Sequence, residues 1–368
     1  MSRGSTASCT ALVEDLRQQV LDAAAAEQRL VPVGGRTQLG WCRPNHDGPG
    51  GPGSLDLSDL RGVVEYEPGE GTVTTWAGTP WSELATTVAA GGHRLPADLC
   101  TRPGSTVGGV LASGRSGPDR FQAQALRHHV LGMQVLVGDG TVARSGGRLV
   151  KNVTGFDLHR LHVGARGTLG AILEVSLRLR PLPECEAVVA LEATELDAAL
   201  DALADLVRGG ARLQWGTLRP GASGPLLELG LDGRRSQVEQ DAAAAAAALG
   251  STATIAWDAD AVARRESTRD EGCEDGYAWE VQGTRAAVLS IAARGCPEDS
   301  WFDLLSGRLL TSTRPSDGPG LRVRRLAAAP TVPDRRGHAW EERIRSQLDP
   351  AGVFAVLSNQ PSDEEVSA

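Results

Sequence analysis

The stretch Pro32-Val33-Gly34-Gly35-Arg36-Thr37-Gln38-Leu39-Gly40 is the first in the chain whose residue types could do chemistry. Glycines free consecutive backbone N–H groups to converge on an anion, and a threonine hydroxyl can add a further donor to a phosphate. Such a loop suits a pyrophosphate. A second stretch, Pro103-Gly104-Ser105-Thr106-Val107-Gly108-Gly109-Val110-Leu111-Ala112-Ser113-Gly114, is built from small residues that leave the backbone accessible to something flat or anionic. A third, residues 146–172, is punctuated by Gly155, Gly164, Gly167 and Gly170. It also holds Lys151, the single lysine of a chain whose other basic side chains are arginines.

Two familiar nucleotide signatures are missing from the first stretch. No G-x-G-x-x-G opens a helix after its strand, and no G-x-x-x-x-G-K-[ST] is present, so a Rossmann site or a P-loop is not expected. The six cysteines form no C-x-x-C pair, which argues against an iron–sulfur or zinc cage and against a disulfide framework. No paired-histidine metal motif occurs after Pro183 either, and no metal site is expected. A net charge of -9 and a pI near 5.4 give no basic footprint for nucleic acid. No run approaches the roughly 18 apolar residues that span a bilayer, and the N-terminus lacks a long apolar segment, so a cytoplasmic protein is expected.

The elements that must position these loops follow from periodicity. Residues 11–28 place Leu12, Val13, Leu16, Val20 and Leu21 at helical spacing, and a short strand follows at 30–33. Residues 63–66 and 72–77 predict two strands around a Gly-rich turn, and 81–90 a helix ended by Gly91-Gly92. Residues 130–137 and 141–144 form a hairpin across Asp139-Gly140, and a strand at 171–180 stops at Pro181-Leu182-Pro183. Beyond it the order is strand 187–191, helix 195–207, strands 212–218 and 226–231, helix 236–249 and strand 252–257, a ferredoxin-like β-α-β-β-α-β unit. Residues 258–283 read as a polar loop, 286–292 as a strand, 299–310 as a helix, 312–320 as a mobile linker, 321–326 as a strand and 340–347 as a helix.

The three glycine-rich stretches occur in one order over some 140 residues, within "PVGGRTQLGW", "LDLSDLRGVVEYEPGEGTVTTWAGTPWSELATTVAAGGHRLPAD", "PGSTVGGVLASGRSGPDR", "VLGMQVLVGDGTVARSGGRLVKNVTGFDL" and "LHVGARGTLGAILEVSLRLRP". This text resembles FAD-binding proteins of the PCMH type (vanillyl-alcohol oxidase superfamily), and more closely the FAD-binding E subunit of bacterial glycolate oxidase. The resemblance covers residues 30–183 and implies an α+β fold: a two-subdomain PCMH-type FAD-binding domain over 1–183, a ferredoxin-like cap over 184–330, and a C-terminal helical return segment over 331–368. By resemblance, Val33, Gly34, Gly35, Arg36, Thr37, Gln38 and Leu39 wrap the FAD pyrophosphate. Pro103, Gly104, Ser105, Thr106, Gly108 and Gly109 run under the diphosphate and the ring system. Gly167, Gly170 and Ile172 border the cofactor from the other side, with Ile172 near the adenine. Lys151 would point its compact ammonium at a flavin carbonyl or a diphosphate oxygen, where a guanidinium fork fits less well. Relatives with covalent flavin carry a histidine in the first glycine loop; here Arg36 stands there and no histidine does, which implies non-covalent FAD.

The resemblance further implies a subunit of a glycolate (2-hydroxy acid) oxidase or dehydrogenase complex, with a small 2-hydroxy acid as substrate and with a larger FAD subunit and an iron–sulfur subunit as partners. Such partners could hold it at a membrane periphery. Oxidising a 2-hydroxy acid needs a cation for the carboxylate and a base for the hydroxyl proton. Of the seven histidines only His338 lies beyond Pro183, beside Arg336, and these two are the catalytic candidates. A non-catalytic assembly subunit and a stand-alone FAD-dependent alcohol oxidoreductase are the alternatives.

Overall fold

The computed structural model describes residues 4–37, 51–97, 101–148, 157–271, 277–315, 321–325 and 335–355. The chain opens with α1 (Gly4–Ala25), β1 (Leu30–Val33) and β2 (Gly53–Asp56), then β3 (Val63–Glu67), β4 (Thr72–Trp76), α2 (Trp81–Ala89) and β5 (His93–Arg94). Next come α3 (Val107–Ser113), α4 (Arg120–Ala123), β6 (Val130–Leu136), β7 (Val142–Gly146), α5 (His159–His162), β8 (Ala171–Arg178) and β9 (Arg180–Pro181).

The antiparallel sheet β3-β4-β8-β6-β7 organises this part. Seven of the eight residues of β8 are buried, as expected of a strand covered on both faces. One face meets α1, where Ala171 and Leu173 join Leu16 and Val20; the other meets α2 and α3, where Ile172, Val175 and Leu177 join Leu84, Val88 and Val110. The register against β6 slips between Gln134 and Val135, so Ile172 before the bulge and Val175 after it face the same side. The β6–β7 turn closes as its residues predict: the Asp139 carboxylate accepts the Thr141 amide at 2.8 Å and Gly140 supplies a φ of +80°.

The C-terminal segment returns to this body. Leu30 donates its amide to Val353 O at 2.6 Å, and Ala355 donates to Leu30 O at 2.9 Å, so the tail flanks β1 while β2 pairs with it in parallel. Phe354 is fully buried among Leu30, Leu55 and Leu173.

From β10 (Cys185–Glu192) the chain continues through α6 (Leu196–Arg208), β11 (Leu213–Pro220), β12 (Pro225–Gly233), α7 (Arg235–Leu249) and β13 (Thr254–Trp257). These four strands lie in the order β13-β10-β12-β11, all antiparallel, which is the ferredoxin-like arrangement. Then follow α8 (Asp258–Glu271), β14 (Trp279–Gly283), α9 (Arg285–Ala292), β15 (Ser300–Asp303), β16 (Arg308–Thr311), β17 (Leu321–Arg325) and α10 (Arg335–Leu348). β15 pairs with β11 and extends the sheet to eight strands.

Three expectations fail here. Residues 258–271 are a helix rather than a loop; only Ala261 and Thr268 are buried in it, so no apolar stripe marks it. Its anchors are polar, with Thr268 donating to Glu228 at 2.7 Å and Arg265 paired with Glu186 at 3.0 Å. Residues 285–292 are a helix rather than a strand, started by Thr284, whose hydroxyl accepts the Ala287 amide. Residues 300–311 are a hairpin rather than a helix. Most positions in both strands are buried, which erases the period-two signal, and the turn is made by Asp303, Ser306 and Gly307. Of the linker expected at 312–320, residues 316–320 lie outside the described residues. Among the described residues no helix is long and apolar enough to cross a membrane.

Candidate cofactor site

The first glycine loop leaves β1 and turns at Arg36, whose φ of +56° is a left-handed conformation that side chains other than glycine rarely adopt. The Arg36 guanidinium reaches Asp56 at the end of β2, 3.2 Å away. Burial pushes the Asp56 carboxyl up, but hydrogen bonds from Ser58 and Arg36 outweigh it and hold the group below its ordinary value. Thr37 shares a hydrogen bond of 2.9 Å with Ser105, and Arg102 donates to Thr37 O at 3.3 Å. The first and second loops are thereby tied together.

They also approach too closely for side chains on the glycines: a Cβ on Gly35 would meet the Gly104 carbonyl. A Cβ on Gly34 would fall 2.4 Å from Thr106 Oγ1, so no side chain fits there. Thr106 caps α3, accepting the Gly109 amide, while the amides of Val107 and Gly108 donate to Thr79 O and Ala77 O. The first turn of α3 has therefore already spent its donors. By contrast, the amides of Gly34, Gly35, Arg36 and Thr37 find no acceptor among the described residues. Those four are among the donors left to meet an anion.

The third loop closes the cleft. Gly164 and Arg166 donate their amides to Leu111 O and Ala112 O of α3 at 3.0 and 2.8 Å, and Arg166 again takes a positive φ, +55°. A cleft of about 730 Å³, solvent mouth included, results. Val33, Gly34, Gly35, Arg36, Thr37, Thr106, Gly108, Gly109, Gly167, Gly170 and Ile172 all line it, so three loops separated by some 70 residues each meet at one place. Gly104 and Ser105 stand behind the first loop, and Pro103 is exposed in the preceding turn, away from the cleft. Gln38, Leu39 and Lys151 lie outside the described residues. Arg336 and His338 belong to α10, and their side chains also lie outside the description.

Sequence reasoning missed Val31, Leu57 and Ala77, and it marked Pro32, Ala112, Ser113 and Arg166 only as members of the glycine-rich stretches; these seven complete the lining. Pro32 and Arg166 sat beside glycines already singled out. Leu57 and Ala77 come from strand ends that only the pairing of β1 with β2 and of β4 with β8 brings inward.

Glycine-lined backbone, four available amides, and an apolar wall from Val31, Leu57 and Ile172 fit the diphosphate and ring systems of a dinucleotide such as FAD. Comparison with known proteins agrees. Residues 9–146 match the family model described as FAD binding domain. The chain is 35% identical to glycolate oxidase subunit GlcE of Escherichia coli over 172 residues, 46% of this chain and 47% of that one. It is 30% identical to glycolate oxidase subunit GlcD of Bacillus subtilis over 180 residues, 48% of this chain and 37% of that one. It is also 30% identical to D-2-hydroxyglutarate dehydrogenase of Xanthomonas citri pv. viticola over 194 residues, 52% and 40% of the two chains. The matches thus span less than half the length of these relatives. Among solved structures, alkyldihydroxyacetonephosphate synthase superposes with a TM-score of 0.67 at 13% identity, covering 93% of this chain and 75% of the other, a likeness of fold. The chain carries an FAD binding domain of the PCMH type, matched over residues 9–146.

Proposed function

We propose that the chain is an FAD-dependent oxidoreductase acting on a 2-hydroxy acid, and that it works as a subunit of a glycolate-oxidase-like complex. The observation that carries the reading is the convergence of residues 33–37, 106–109 and 166–172 on one cleft. The named functions of the relatives, glycolate oxidase subunits and D-2-hydroxyglutarate and D-lactate dehydrogenases, support the substrate class. FAD, when bound, would supply the two-electron acceptor for the hydride leaving the hydroxyl-bearing carbon.

In this reading the chain's own residues have separate tasks. The amides of Gly34 to Thr37 hold the diphosphate, and the Arg36–Asp56 pair fixes the loop that presents them. Gly167, Gly170 and Ile172 cover the opposite side, and Lys151 is the cation proposed for a flavin carbonyl or a diphosphate oxygen. Arg36 stands where a histidine would be needed for a covalent link, so the FAD is held non-covalently. Residues 1–183 form the cofactor unit, 184–330 the cap, and 331–368 the return segment. A larger FAD subunit and an iron–sulfur subunit would be the partners, in the cytoplasm or at a membrane periphery through them. His338 and Arg336 are the candidates for the substrate's base and carboxylate.

A second reading, a non-catalytic assembly subunit, is favoured by the scarcity of histidine beyond Pro183, where His338 stands alone. Anaerobic addition of glycolate, D-lactate or D-2-hydroxyglutarate to the flavin-loaded chain separates the two. Bleaching of the flavin band by one of them supports the enzyme. Bands that bleach with none of them, with or without the partner subunits, support the assembly role.

A further inference from the structure

α6 and α9 pack on one hydrophobic core, that of the eight-stranded sheet, and a groove of about 870 Å³, solvent mouth included, is lined by both helices. Its floor is apolar: Phe121, Leu289 and Leu305 line it with Ala204 and Ala286. Phe121 is 38% exposed, one of four large apolar side chains left exposed among the described residues. A lone exposed apolar residue is ordinary, but an aromatic beside an apolar groove makes a patch of the kind that another surface covers.

The charges around the groove are ordered. Arg208, at the end of α6, and Arg285, at the start of α9, line it. Asp197 and Asp201 continue the face of α6 that carries Ala204 and Arg208. The four positions are spaced i, i+4, i+7 and i+11, a single stripe roughly 16 Å long. Asp197, Asp201 and Arg285 are exposed and form no ion pair among the described residues. Arg208 pairs with Asp205 on its own helix, at an exposed site where such a pair contributes little, so its guanidinium can turn to another carboxylate.

Acid, small residue and base in that order along one helix face are self-complementary. When two copies of α6 cross antiparallel about a twofold axis at Ala204, Asp201 of each copy falls beside Arg208 of the other, and the same pair forms twice. The small Ala204 side chain lets the two helices approach closely at the axis. Arg285 adds positive charge at the end that meets Asp197 and Asp201 of the second copy. A partner of another kind would need no such order within one helix. We infer that the α6–α9 groove is the interface of a homodimer, covered by the same surface of a second copy of this chain. None of these residues lines the cofactor cleft, and dimerisation is read separately from flavin content.

Sedimentation velocity of the flavin-loaded full chain, at micromolar concentrations and one ionic strength, tests it. The unsubstituted chain is expected to dimerise reversibly. Asp201→Arg and Arg208→Asp should each weaken the dimer about tenfold or more, and the double variant, which restores both pairs with their signs exchanged, should recover the affinity to within about threefold. Ala204→Glu, which sets two carboxylates against each other at the axis, should give monomer. Circular dichroism of the same samples shows that the variants are folded. A monomer at every concentration, a dimer that neither charge reversal weakens, or a folded double variant that stays monomeric would overturn the inference.

Discussion

A Cβ built on Gly35 would lie 1.7 Å from the carbonyl oxygen of Gly104, closer than any two such atoms can approach. The two loops that meet there bring Thr37 against Ser105 and leave the Gly34 to Thr37 amides, in the lining of the cleft, without an acceptor among the described residues. Gly35→Ala must therefore push the loops apart. We expect its flavin content to fall below a tenth of that of the unsubstituted chain, with far-ultraviolet circular dichroism unchanged. Full flavin occupancy in a folded Gly35→Ala protein would contradict this account of the site.

The FAD-binding body and the sheet of β10 to β13 are joined by charge. Arg94 of β5 pairs with Asp232 of β12 at 2.6 Å, and Arg180 of β9 meets Asp119 at 3.2 Å and Gln214 of β11 at 3.2 Å. The Arg94–Asp232 pair is largely shielded from water, so removing one partner strands the other. Asp232→Ala should cost about 1–3 kcal/mol, more than an exposed pair and less than a fully buried one. A double-mutant cycle with Arg94→Ala, followed by urea denaturation, measures the coupling. A value indistinguishable from zero would mean that the pair does not hold the interface.

Acid should loosen the FAD-binding body through His162. Burial, with His159 acting in the same direction, holds its imidazole down to about 4. The unfolded chain takes up that proton near pH 6.5, so stability falls as pH drops from about 6.5 to about 4, by up to about 3 kcal/mol. Asp303 works in the opposite sense: burial raises its carboxyl to about 6, so its contribution is present in acid and is lost as pH rises through 6. Carbon-detected NMR of labelled histidine should find a resonance, lost in His162→Asn, that titrates near 4. Titration of that resonance near 6.5 would refute the buried neutral imidazole.

The return segment depends on Asp349. Its buried carboxylate accepts the amides of Val353 at 2.8 Å and Phe354 at 2.9 Å, setting the turn that lays Phe354 against β1. Asp349→Ala should destabilise the protein by about 2 kcal/mol through the unsatisfied amides, and Phe354→Ala by about 3–5 kcal/mol through the cavity. Because Val31 and Val33 of β1 line the cofactor cleft, both variants should also lower FAD affinity. Unchanged melting temperature and unchanged FAD affinity in both would show the tail to be idle.

Much of this arrangement was legible in the residues. Glycines at 34, 35, 108, 167 and 170 are local requirements of close backbone approach, and their spacing marked the cleft before any fold was known. The β-α-β-β-α-β order was legible because α6 carries an apolar stripe, α7 is a run of helix-forming alanines, and short apolar strands lie between them. The stretch from 258 to 311 was not. α8 is held by Thr268, Arg264 and Arg265 to acids on β10 and β12 rather than by an apolar face, and β15 and β16 are buried too evenly to alternate.

The central claim is that residues 33–37, 106–109 and 166–172 hold FAD without a covalent bond. Its most direct test is the visible absorption spectrum of the purified chain before and after acid precipitation. The account predicts flavin bands that leave with the supernatant at one FAD per chain. A colourless protein that does not take up added FAD, or a flavin that stays with the precipitate, would contradict it.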